Sequence, residues 1–157
     1  MPDLTPEEVA ALVGKLQKFA YLCNVGTVSL GPLAAAPTVV PDVATADVTL
    51  YETLGSVEAK LLTKNDLTLT INTRNVDDGM ALQGEIVKGQ DLLDPARKKV
   101  ITLVPITGST AAKTITFENA YLQAGLNYAP QEGGQPNTMT LTYTCKAGTS
   151  GKAFTYG

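Results

Sequence analysis

Residues 137–146 read Asn-Thr-Met-Thr-Leu-Thr-Tyr-Thr-Cys-Lys. Met139, Leu141, Tyr143 and Cys145 fall on one side of an extended chain, and Thr138, Thr140, Thr142 and Thr144 on the other. A period of two held over eight residues predicts a strand with one covered face. Threonine is β-branched and suits an extended backbone, while its hydroxyl tolerates water. Such a strand can line a solvent-filled space or meet another polar surface as readily as it can end at bulk water. The pattern recurs at residues 66–72, where Leu67, Leu69 and Ile71 alternate with Thr68 and Thr70, and at 113–118, where Ile115 and Phe117 oppose Thr114 and Thr116.

Composition agrees with a sheet protein. Threonine occurs 21 times and glycine 14 times in 157 residues, which favours strands and turns over a helical bundle. The apolar fraction of 44% supplies a core for one domain of ordinary size. The fold class this predicts is mainly β: a β-sandwich or partly open β-barrel of antiparallel strands, with an N-terminal helix and room for one further short helix. The domain reading is a helical arm over residues 1–22 followed by a β-sandwich domain over 23–157.

The N-terminal helix is predicted over residues 6–20. Thr5 caps it, Pro6 fits the first turn, and Glu7 and Glu8 face the positive end of the helix dipole. Glu8 stands three residues after Thr5, the capping-box spacing. Val9, Leu12, Val13, Leu16, Phe19 and Ala20 recur at helical intervals, a stripe that serves packing on the chain's own sheet or on a neighbour equally well. A strand is expected over 21–30, broken by Gly31-Pro32. Residues 33–45 carry Pro37 and Pro41 and read as an ordered or semi-mobile loop, because that spacing excludes a helix or a central strand, and its apolar character points to a site that something else covers. Short extended pieces are expected at 48–53 and 57–62, with a turn at Lys64-Asn65-Asp66 before the strand at 67–73. Asp77-Asp78-Gly79 reads as a turn, residues 80–88 as a strand in preference to a helix, and 89–96 as a loop with one helical turn at most. Strands follow at 98–106 and 112–117, with 119–127 continuing as strand or irregular chain. Residues 128–136 form a loop around Gly133-Gly134, and the tail 147–157 is either frayed or laid across another chain.

Catalytic chemistry is poorly supplied. The chain has no histidine, which removes the commonest base and metal ligand. Cys23 and Cys145 lack the short spacing of a zinc site and read as two separate semi-buried thiols, with one long-range bridge as the alternative. Gly148-Thr149-Ser150-Gly151-Lys152 has the letters of a phosphate loop, but the spacing is wrong and Ala153 stands where Ser or Thr belongs. Asp77, Asp78 and Glu85 could hold a hard cation, although turn aspartates are ordinary without one. Arg97-Lys98-Lys99 reads as a solvated strand start, with an acidic patch on another subunit or a phosphate as the alternatives. Tyr121, Tyr128, Tyr143 and Tyr156 are candidate interface anchors, with core packing an equal reading for Tyr121 and Tyr143. No catalytic, cofactor or metal site is therefore expected, and no enzymatic activity.

The net charge of -3 gives little general attraction to nucleic acid phosphates. No run of eighteen apolar residues exists, so no membrane span is expected, and Asp3, Glu7 and Glu8 precede any lysine, the wrong charge order for a secretory signal. Strands polar on an uncovered face leave unpaired edges, and closure into a ring of identical copies removes edges.

In this setting the sequence resembles the major tail or tail-tube proteins of tailed bacteriophages. The resemblance runs through Asn24-Val25-Gly26-Thr27-Val28-Ser29-Leu30-Gly31-Pro32, a Pro/Ala-rich segment, and Leu54-Gly55-Ser56-Val57. It continues in Leu67-Thr68-Leu69-Thr70-Ile71, in Ile115-Thr116-Phe117-Glu118-Asn119-Ala120-Tyr121-Leu122, then Gly134 and Met139-Thr140-Leu141-Thr142-Tyr143. It implies a virion subunit, assembled in the host cytoplasm, that stacks in hexameric rings around a channel. DNA would pass through without specific binding, and other phage tail proteins would be partners. It also implies that residues 33–45, 73–79 and both termini join successive rings. The family's helix lies between strands, whereas residues 6–20 precede the matching region and only 89–96 offers a helical turn between strands. Tube protein, terminator and related ring component are thus all left open by the resemblance. A capsid-decorating β-sandwich or a non-catalytic adhesin module is the alternative that the residues themselves allow.

Overall fold

The computed structural model describes residues 3–14, 20–49, 51–53, 55–106 and 112–157. Among these, nine strands form one antiparallel sheet: β1 Tyr21–Val25, β2 Val28–Ser29, β3 Thr38–Thr49, β4 Val57–Thr73, β5 Lys99–Pro105, β6 Ile115–Leu122, β7 Asn127–Ala129, β8 Thr138–Cys145 and β9 Thr155–Tyr156. Two α-helices accompany them, α1 Pro6–Gly14 and α2 Val76–Gln83. The main strand order is β2-β1-β5-β6-β8-β4-β3, with β7 on β8 and β9 on β6, and the sheet does not close into a barrel. The mainly-β expectation, with an N-terminal helix and a second short one, is what the chain adopts.

The three period-two stretches become neighbours in the centre. β8 pairs with β4 from Leu67↔Cys145 to Thr73↔Met139, and with β6 from Ala120↔Cys145 to Leu122↔Tyr143. The alternation therefore places Leu69, Ile71, Leu141 and Tyr143 on one face, all fully buried, together with Phe117, Ile101 and Cys23. That face is closed by Leu30, by Leu33, and by Val76, Met80, Leu82 and Ile86 from α2 and the turn after it. Burying one large aliphatic side chain contributes about 1.5–3 kcal/mol, so this single layer accounts for most of the hydrophobic stabilisation.

Several local expectations are overturned. Residues 38–45 of the expected loop instead open strand β3, whose Pro41 is accommodated because β3 lies at the sheet edge and pairs only with β4. Lys64-Asn65-Asp66 does not turn, residues 48–49 end β3 while Tyr51–Thr53 form a 3₁₀ turn, and 57–62 is not a separate piece. β4 runs without a break from Val57 to Thr73, with Thr63 the extra residue where the register shifts between Ala44 and Thr45. The Thr63 hydroxyl donates to Ala44 O at 3.2 Å and stitches that irregularity. Asp77-Asp78-Gly79 opens α2 instead of a turn, and the preference for a strand at 80–88 fails. Asn75 caps the helix by accepting from the Asp78 amide, and both aspartates sit at the positive end of the dipole. Residues 21–30 are a hairpin, not one strand, turning at Gly26 with φ 59°. The tail is neither frayed nor free, since β9 pairs with β6 at Ile115↔Tyr156 and Thr116↔Thr155.

At the N-terminus the capping box forms as expected. The Thr5 amide donates to Glu8 Oε2 at 2.7 Å, and the Glu8 amide donates to Thr5 Oγ1 at 3.3 Å. These bonds hold the Glu8 carboxyl below its ordinary value. α1 is described over Pro6–Gly14, Ala20 is not helical, and residues 15–19 of the expected helix lie outside the described residues.

Candidate functional site

No cleft with convergent catalytic groups exists among the described residues; the features that stand out are surfaces. The sheet's uncovered face is a ladder of small polar side chains. Thr68 stands opposite Thr144, Thr70 opposite Thr142 and Asn72 opposite Thr140, and further across Thr102 stands opposite Thr116 and Asn24. Gln123 adds a side-chain bond to Thr144 at 2.9 Å. Hydroxyls in this register can exchange hydrogen bonds with water at little cost and offer phosphates no charge to hold.

The second surface is the far half of the β3–β4 hairpin. Beyond Asp42 and Asp66 it leaves the body of the sheet as a two-stranded ribbon, tied by Lys64–Asp42 at 2.8 Å and Lys60–Asp47 at 3.6 Å. Both pairs are exposed and add little to stability. The ribbon nevertheless carries exposed Val43, Val48, Leu61 and Leu62, and Tyr51 at its tip is 93% exposed. Leu61 and Leu62 are adjacent in the strand, so each face of the ribbon carries an exposed leucine. Two-stranded ribbons are marginal alone in water, so one with exposed apolar side chains on both sides gains from a covering partner. Sequence reading missed Tyr51 and placed Leu61 and Leu62 in a short separate strand, because Lys64-Asn65-Asp66 has the composition of a turn.

A third apolar surface lies nearby. Leu4, Val9, Leu12 and Val13 of the N-terminal segment are all exposed. An open recess of about 510 Å³ is lined by residues including Tyr21, Leu33, Pro37, Val39 and Leu103. Residues 33–37 are therefore apolar and partly exposed as expected, although Leu33 packs on the core and bridges to Thr73. Residues 73–79 do not form a free loop: Thr73 is fully buried with its hydroxyl donating to Leu30 O, and Gly79 is buried against the sheet.

The other candidate residues separate. Asp77 and Asp78 sit at the start of α2 and Glu85 beyond its end, and no group of three or more metal-binding side chains gathers among the described residues. In the 148–152 segment the Gly151 amide donates to Gly148 O and the Gly148 amide to Lys152 O, so these amides form a turn, not a phosphate cradle. Cys23 and Cys145 are free, fully buried thiols, and burial pushes both up to about 12. Tyr128 stays at the surface, where its hydroxyl accepts from Asn137 Nδ2 at 2.8 Å. Tyr156 lies under Lys113, 5.5 Å from its ring centre. Tyr121 and Tyr143 belong to the buried set.

Arg97, Lys98 and Lys99 also divide. Arg97 clamps two segments by donating to Leu92 O and to Leu122 O, and Lys98 is exposed. Lys99 joins Arg97, Glu85, Gln90, Leu122 and Tyr143 around a small polar recess of about 100 Å³. The Tyr143 hydroxyl finds no hydrogen-bond partner among the described residues. A buried hydroxyl left unpaired costs about 1–3 kcal/mol. Burial raises its pKa, as do Cys23, Glu85 and Cys145, while Arg97 opposes them.

No protein-family model matches the sequence, and no curated protein matches it significantly. Solved structures do match. The cap that terminates the anti-feeding prophage tube is 11% identical over 90% of both chains, with TM-score 0.60. A chain of the PVC sheath–tube complex, from an extracellular contractile injection system in its extended state, is 13% identical over 99% of both, with TM-score 0.59. The PVC sheath/tube terminator is 13% identical over 90% of this chain and 96% of that one, with TM-score 0.55. What those chains and this one have in common is the fold, over nearly the whole length of each.

Proposed function

We propose that the chain is a non-catalytic structural subunit of a tail tube, in a phage tail or a related contractile injection machine. Copies form rings, six to a ring as the tail-tube resemblance implies, that stack around a channel. The observation that carries this reading is the β3–β4 ribbon, with exposed apolar side chains on both faces in the single chain. A neighbouring copy supplies the cover, and the ribbon's length lets it reach one. The hydroxyl ladder then faces the channel, where it passes DNA without binding it. The full-length fold likeness to chains of a tube cap, a tube terminator and a sheath–tube complex supports the same reading. The helix between strands that the tail-tube family carries is supplied by α2, so that departure from the family pattern disappears. Residues 1–22 act as an arm, of which Tyr21 and Leu22 already belong to β1, and its exposed stripe suits an apolar recess on the next copy.

Ala44 and Lys64 are register partners, so an Asn-Gly turn can replace residues 45–63 without disturbing the sheet body. The shortened chain is expected to keep its circular-dichroism spectrum and to stay unassembled by light scattering and negative-stain imaging. The full chain is expected to form rings or tubes with a central hole. Full chains that remain single particles at high concentration, or shortened chains that still build tubes, would overturn the reading.

A further inference from the structure

A recess lies between the end of α2, the turn at Pro95–Arg97 and the strands β5, β6 and β8. Its donors converge. Arg97 is held in place by the Leu92 and Leu122 carbonyls, which use two of its N–H groups and leave others free. Gln90 accepts from the Val87 amide at 3.2 Å through Oε1, leaving its NH2 group to donate. Lys99 contributes an ammonium group and Tyr143 a hydroxyl with no protein partner. Against two cations stands one carboxylate, Glu85, and no ion pair joins it to Arg97 or Lys99 among the described residues. Tyr143 lines the same recess as Glu85, Arg97 and Lys99.

We propose that this recess binds a small oxyanion, a carboxylate or phosphate group, held by Arg97 and Lys99 and hydrogen-bonded by the buried Tyr143 hydroxyl. Charge sets the sign, and the fork of Arg97 suits two oxygens at once. Size limits the ligand: about 100 Å³ admits a few water-sized groups at ~30 Å³ each, enough for an anionic head and too little for a nucleoside. The group can come from free phosphate or from an acidic side chain of a second copy. The site does not depend on the tube reading.

Inorganic phosphate titrated into the unassembled full chain at constant ionic strength tests it, read by calorimetry and by melting temperature. Saturable binding is expected, with affinity reduced about tenfold in Tyr143→Phe and lost in Lys99→Gln. Tyr143→Phe should melt no lower than the parent without phosphate, because it removes only an unpaired hydroxyl, so weakened binding there is not unfolding. Repeating the titration on assembled material identifies the source. Binding lost on assembly assigns the site to a neighbour's carboxylate, and binding retained assigns it to the free ion. Absence of saturable binding by the unassembled chain, or equal binding by parent and Tyr143→Phe, overturns the proposal.

Discussion

A methyl group added at Gly79 would lie 2.3 Å from the Met139 sulfur, so α2 packs against β8 at the distance that only a missing side chain allows. This contact seats the helix on the buried face and fixes the position of Met80, Leu82 and Gln83 beyond it. Gln83 then reaches across to donate to Gln123 O at 3.2 Å.

Gly79→Ala is therefore expected to destabilise by about 1–3 kcal/mol, as overpacking does, against a gain of about 1 kcal/mol in helix propensity. Met139→Ala on the same chain clears the space. Urea unfolding should show the double variant more stable than the sum of the single losses predicts, by at least ~0.5 kcal/mol. Strictly additive losses would mean that helix and strand do not meet there.

Leu141→Pro should abolish folding. Leu141 is fully buried opposite Ile71 in the middle of β8, where proline removes a ladder donor and deletes core volume. The lost side chain alone costs about 2–5 kcal/mol. A native-like circular-dichroism spectrum with an unchanged melt would show that β8 is not central.

Both thiols should resist a thiol reagent such as DTNB in the native state and react only on unfolding, since burial holds them protonated. The same burial predicts alkaline sensitivity. An unfolded thiol ionises near 9 and the folded ones near 12, so across that window the folded state holds protons the unfolded state has released. Stability is complete below pH 9 and falls as pH rises toward 12, by roughly 1 kcal/mol per thiol at pH 10. Replacing both cysteines with alanine should flatten that slope in denaturant titrations at pH 8 and 10.

Leu61→Ser with Leu62→Ser should leave unfolding within ~0.5 kcal/mol of the parent, because both side chains are already exposed in the single chain. Assembly should fail nonetheless, read by sedimentation of the purified protein. A large loss of stability without any effect on assembly would assign these leucines to the subunit's own core.

The strands that read most clearly in the sequence are those where one face is buried and the other hydroxylated, as in β8 and the second half of β4. There the two periods of the chemistry and the backbone coincide. The first half of β4 read only as a short separate piece because its apolar residues, Leu61 and Leu62, are adjacent instead of alternating and both stay exposed. The start of α2 was misread because Asp77-Asp78-Gly79 has turn composition, while its real cue was Asn75 three residues before Asp78. Gly79 is there for closeness to Met139, not for turning. Of the recess around Tyr143 the sequence marked Arg97, Lys99, Glu85 and Tyr143 one by one, but not that they line one space, since its residues come from four separate segments.

β8 lies between β4 and β6 in the sheet, although both precede it along the chain. Until it is synthesised, β3–β4 and β2-β1-β5-β6 share no strand ladder and meet through the segment at 30–34, where Leu33 bridges to Thr73 and the Thr73 hydroxyl donates to Leu30 O. A chain stopped on the ribosome before residue 138 therefore lacks the strand that joins the two ladders. Only when Cys145 has emerged can the centre of the sheet close, so its keystone arrives near the end of translation.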